Sequence, residues 1–77
     1  MEVVVRFGGG KVKPEEFELN GRWYRVKQIT LVWQKQNGQR KYMCFSVDTG
    51  GMLAELRMDL QNFQFSIFNF QPSDIGA

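Results

Sequence analysis

Residues Arg22 to Val47 restrict the fold more than any other stretch of this chain. They read RWYRVKQITLVWQKQNGQRKYMCFSV, two long runs rich in β-branched and aromatic side chains that turn back about Asn37-Gly38. The same stretch carries six Lys or Arg and no Asp or Glu. Outside it, four Lys or Arg stand against eight acids, so the balance is +6 in the hairpin and −4 elsewhere. Such segregation suggests a basic face suited to phosphate or to an acidic protein, although solvated strands often carry their charge this way without a partner.

Phase within the hairpin predicts its shape. Tyr24 and Val26 are even-numbered, whereas Ile29, Leu31 and Trp33 are odd. A side-chain period of two allows such a slip only if an extra residue intervenes, which predicts a bulge or bend near Lys27-Gln28. The tip, Gln36-Asn37-Gly38, admits two registers. A three-residue loop sets Leu31 opposite Met43 and Ile29 opposite Phe45. A two-residue Asn37-Gly38 loop sets Trp33 opposite Tyr42 and leaves apolar side chains on both faces. The first agrees better with the phase slip and keeps polar side chains in water.

The flanking segments read as shorter strands. Glu2 to Phe7 is a β-branched run ended by Gly8-Gly9-Gly10, a turn rather than a phosphate loop, because neither the Gly-Lys-Ser/Thr ending nor a helical pattern follows. Pro14 argues against a central strand at its own position. After it, Glu15 to Leu19 alternates, and Asn20-Gly21 favours a type I′ turn that sets Leu19 opposite Arg22, Phe17 opposite Tyr24 and Glu16 opposite Arg25. Beyond the hairpin, Gly50-Gly51 sets Val47 opposite Ala54 and Phe45 opposite Leu56. A turn at Asp59 to Asn62 sets Met58 opposite Phe63 and Leu56 opposite Phe65. Phe68 and Phe70 fall out of phase with this face, which predicts a bend in the last strand. The tail, residues 71–77, is expected to fray.

These elements predict an all-β domain over residues 1–77, a six-stranded antiparallel meander curled into a small SH3-like or partly open barrel. A folded chain of this size buries only about 60% of the surface its unfolded form exposes, so the aromatic bulk must be concentrated. Leu31, Trp33, Phe45, Leu56 and Phe65 are the expected core.

Phe17-Glu18-Leu19-Asn20-Gly21-Arg22-Trp23-Tyr24-Arg25-Val26, followed by Trp33, Tyr42, Val47 and Leu56, resembles small bacterial β domains of unknown function. The likeness spans roughly residues 17–58 and rests on core and turn positions. It implies a fold and a bacterial origin, and no catalytic residue.

Several function classes fit poorly. The chain has no His, so the commonest general base is missing, and its single Cys44 has neither a disulfide partner nor a His to activate it. No zinc ligand set, cofactor motif or window near 18 apolar residues is present, and the first residues do not form a signal peptide. The expectation is a cytoplasmic protein that is not an enzyme, has no cofactor and does not enter a membrane.

A binding module fits better. In the preferred register Trp23, Arg25, Lys27, Arg40, Tyr42 and Arg57 gather on one outer surface, two aromatic platforms among four cations. Single-stranded nucleic acid is held by such mixtures, bases stacking on rings while cations follow the phosphates. The chain lacks the ribonucleoprotein consensus, which leaves a competing class: a protein-interaction or homodimerisation module whose exposed aromatics complete a neighbour's core. The plainest reading has Trp23 resting on the stems of Arg25 and Lys27 and binding nothing.

Overall fold

The computed structural model describes residues 1–73 as seven antiparallel strands: β1 (Val3–Gly8), β2 (Lys11–Leu19), β3 (Arg22–Arg25), β4 (Gln28–Asn37), β5 (Arg40–Asp48), β6 (Met52–Asp59) and β7 (Phe65–Pro72). They form two separate sheets, β1-β2-β3 and β4-β5-β6-β7. Seven strands replace the expected six because the predicted kink divides the long third strand. Val26 and Lys27 leave the ladder, and the chain passes there from one sheet to the other. No ladder joins the sheets among the described residues, so the predicted curl does not close into a barrel. Among these residues, no helix is long and apolar enough to cross a membrane.

Turn chemistry explains why the strands meet as they do. Asn20 and Gly21 have φ of 55° and 80°, the two positive values that a type I′ turn requires. The Gly21 N–H donates to the Glu18 carboxylate at 2.6 Å. Leu19, Phe17 and Glu16 then face Arg22, Tyr24 and Arg25, as the sequence predicts. Pro14 departs from expectation, since it lies inside the central strand β2 and is buried. Its missing N–H is tolerated because the β1–β2 register shifts between Val4 and Val5, beside its partner.

The β4–β5 hairpin corrects both anticipated registers. Asn37 faces Arg40 across a two-residue Gly38-Gln39 loop, with Gly38 at φ 65°, the position that a type II′ turn gives to glycine. Trp33 therefore faces Cys44, Val32 faces Phe45 and Leu31 faces Ser46. A second irregularity, between Ile29 and Leu31, reverses the phase again. Leu31 consequently points away from the core and is 59% exposed, and Trp33 is half-buried on that same outer face. Neither belongs to the core expected of them.

The core consists of Phe17 from the three-stranded sheet with Phe45, Val47, Ala54, Leu56 and Met58 from the other. The β5–β6 register agrees with the sequence, Val47 facing Ala54 and Phe45 facing Leu56. Across β6–β7 the register lies two residues beyond expectation, Met58 facing Phe65 and Leu56 facing Ile67. A two-residue error preserves the face of every side chain, so Phe65 still packs against the core, its ring 6.5 Å from that of Phe45. The expected bend in β7 falls at Asn69, whose φ is 54°. It leaves Phe68 outside and sends Phe70 inward, 6.4 Å from the Phe17 ring and 5.2 Å from that of Tyr24. β7 runs to Pro72, which faces Met52, so the frayed tail does not begin at residue 71. Its residues 74–77 lie outside the described residues.

Candidate binding site

The six residues expected to form one basic and aromatic surface are divided between the sheets. Trp23 and Arg25 alternate with the inward Tyr24 on β3 and so stand on the outer face of the three-stranded sheet. Lys27 lies in the connector. Arg40, Tyr42 and Arg57 alternate with the inward Met43, Leu56 and Met58, and stand on the outer face of the other sheet.

The second group is internally engaged. Arg40 hydrogen-bonds the Asp59 carboxylate, and Arg57 hydrogen-bonds Glu55 on its own strand. The Arg57 guanidinium also lies 3.8 Å from the centre of the Phe68 ring. Tyr42 is half-buried and faces Asp59. Strand β6 thus brings acids to the cations of β5 and β6, an effect invisible in the acid-free run of residues 22–47. The Asp59 carboxyl is held below the usual carboxylate range, first by the Gln61 N–H and also by Arg40, against the cost of desolvation. Burial pushes the Cys44 thiol up although Arg57 pulls it down, so its nucleophilic thiolate is scarce.

Arg25, at the end of β3 where the chain leaves its sheet, and Lys27 also border a cleft of about 1020 Å³ lined by residues of both sheets. Val12, Pro14, Val26, Ile29, Val32, Met43, Phe45, Met58 and Leu60 supply its apolar lining. Arg6, Lys11, Lys13, Arg25 and Lys27 border it, against Glu15 and Glu16. Arg6 pairs with Glu15 at 2.9 Å. Lys11, Lys13, Arg25 and Lys27 make no ion pair with any acid among the described residues. Even Glu16, directly across the ladder from Arg25, does not close on it.

Phe63 stands at the same cleft with 63% of its surface exposed and φ at 59°. A bulky residue avoids that backbone region, so its placement carries strain. The turn around it is tied tightly: the Phe63 N–H donates to the Asp59 carbonyl at 2.7 Å, and the Gln61 N–H to the Asp59 carboxylate at 2.8 Å. Sequence reasoning missed Lys11, Lys13 and Phe63. The lysines lie outside the acid-free run of residues 22–47 that drew attention to the other cations, and the shifted register had placed Phe63 opposite Met58.

Compared with protein-family models, curated proteins and solved structures, the chain gives no significant match.

Proposed function

We propose that this protein is a small binding module that holds single-stranded nucleic acid along the intersheet cleft. One observation carries the reading: Lys11, Lys13, Arg25 and Lys27 border an apolar cleft and are not neutralised by ion pairs with the described acids. A polyanion is favoured over a compact anion because these cations come from three successive segments, β2, β3 and the connector. Exposed Phe63 at the cleft offers a ring on which a base stacks, and Trp23, outside the cleft on the outer face of β3 and two residues from Arg25, offers a second to a strand that leaves the cleft over Arg25. Arg40 and Arg57, bound to Asp59 and Glu55, stand apart from this track.

Fluorescence anisotropy with a random-sequence single-stranded oligonucleotide tests the proposal. Affinity should fall steeply with salt, and the Lys11→Ala/Lys13→Ala and Arg25→Ala/Lys27→Ala pairs should each flatten the logarithmic salt slope by about 0.7 per lost phosphate contact. Trp23→Ala should weaken binding by about 1–3 kcal/mol with little change of slope. No affinity at low salt, where electrostatic binding is strongest, rejects the reading.

A further inference from the structure

The geometry points to strand β4 as a self-pairing edge: two copies of this chain join antiparallel, β4 against β4, with Val32 opposite its own counterpart. Three observations lead there without any use of the cleft's cations. The first is that, among the described residues, β4 is a free edge of its sheet and, at ten residues, the longest strand. The other edges are interrupted or short. β3 has four residues bounded by Arg22 and Arg25, the register of β1 shifts at Val4/Val5, and β7 bends at Asn69 and ends in Pro72. Such charges, bends and prolines protect edges from pairing. In β4 the only irregularity lies between Ile29 and Leu31, and from Leu31 to Asn37 the ladder with β5 is continuous.

The second observation is that apolar side chains emerge on both faces of this edge. Leu31 is 59% exposed on the outer face and Val32 51% exposed on the inner face. A ligand on one face covers one of them. A strand laid beside β4 shields both.

The third is register and charge, which select a second copy as the occupant. The two-residue loop makes Asn37 and Arg40 a hydrogen-bonded pair, so alternation turns the backbone groups of Leu31, Trp33 and Lys35 toward β5 and leaves those of Val32, Gln34 and Gln36 facing outward. Centring a two-fold axis on Val32 sets its outward groups against those of its counterpart and Leu31 against Trp33 on one face, twice, and the irregularity after Ile29 falls outside these three central pairs. Lys35 is the only charged residue of β4, and in this register each Lys35 lies beyond the end of the apolar centre, well away from its counterpart. The hairpin tip gains as well. Residues Gln34 to Lys41 are exposed throughout, and the β5–β6 ladder begins only at Tyr42, so the tip is a two-stranded ribbon, a form that is marginal in water by itself.

Sedimentation velocity over a concentration series tests this on the unmodified chain. The expected result is a concentration-dependent, closed dimer. Val32→Lys places like charges face to face on the axis and should weaken dimerisation at least about 100-fold, as should Val32→Glu, while an equimolar mixture of the two variants should restore a dimer of mixed composition. Far-UV circular dichroism checks that each variant folds, and Leu31→Lys gives a second disruption on the opposite face. A monomer at about 1 mM, where weak association is still visible, rejects the inference. So does an open-ended series of larger species, or a dimer that Val32→Lys leaves intact. Oligonucleotide binding by the unmodified chain is scored separately, so either result can fail without the other.

Discussion

Phe63 combines an exposed ring with a left-handed backbone, so its stability and its proposed use pull in opposite directions. Glycine relieves that backbone strain and removes a ring that is mostly in solvent. Phe63→Gly should therefore raise stability by about 1 kcal/mol in urea denaturation, while weakening oligonucleotide affinity by about 1–3 kcal/mol. Asp59 is the opposite case, a residue whose contribution is structural. Its carboxylate receives the Gln61 N–H and holds Arg40, while its backbone pairs with Gln64 and Phe63. Because its folded pKa is lowered, the stability it supplies is present above the ordinary carboxylate range and is lost as pH falls through the lowered value. Acid titration of the thermal midpoint should show that loss, and Asp59→Asn should be less stable at neutral pH and lack this part of the acid dependence. The cleft was only partly legible: the acid-free run pointed to Arg25 and Lys27, which border it, whereas Phe63 gives no local sign of its backbone angle.

At the scale of elements, sequence reading succeeded where loop chemistry and apolar alternation agreed. Asn20-Gly21 and Gly50-Gly51 determine registers that match the structure. It failed in β4 because the run Ile29-Thr30-Leu31-Val32-Trp33 is apolar at almost every position, and nothing in it marks the irregularity after Ile29. The Thr30 hydroxyl donates to the Ser46 carbonyl at 3.2 Å, a local contact beside that irregularity. Two consecutive phase changes, at the connector and at Thr30, then defeat any reading that allows only one. Gly38 is the element's most sensitive loop position. With φ at 65° and open space around it, a methyl group meets no atom but strains the backbone. Gly38→Ala should cost about 1–2 kcal/mol in chemical denaturation, with its largest effect on hydrogen exchange near the hairpin tip.

For the molecule as a whole, the fold class was legible and the closure was not. Alternation and turn spacing identify antiparallel strands, but they do not say whether a kinked strand curves onward or leaves one sheet for another. Here Val26 and Lys27 are each tied across that boundary, the Val26 N–H donating to Glu15 in one sheet and the Lys27 N–H to Asp48 in the other, both at 2.8 Å. Between the sheets, cohesion depends on a small set of side chains centred on Phe17, Phe45 and Leu56. Leu56 is fully buried, and Leu56→Ala should cost about 2–5 kcal/mol. Domains of this size have little stability to lose, so a thermal melt should show a large downward shift or no folded baseline. A midpoint like that of the unmodified chain would place Leu56 outside the cooperative core.

The Phe17–Tyr24–Phe70 cluster has a consequence for how the chain is made. Phe17 and Tyr24 stack at 5.3 Å within the first sheet, yet the ring that seals them comes from β7. On the ribosome, the N-terminal sheet emerges first with its aromatic face bare; β5 and β6 then bring Phe45, Val47 and Leu56 to Phe17, but the side of the cluster that Phe70 covers stays open until β7 has been synthesised. A stalled nascent chain that lacks β7 should therefore be cut faster by proteases at this edge than one in which β7 has cleared the ribosome.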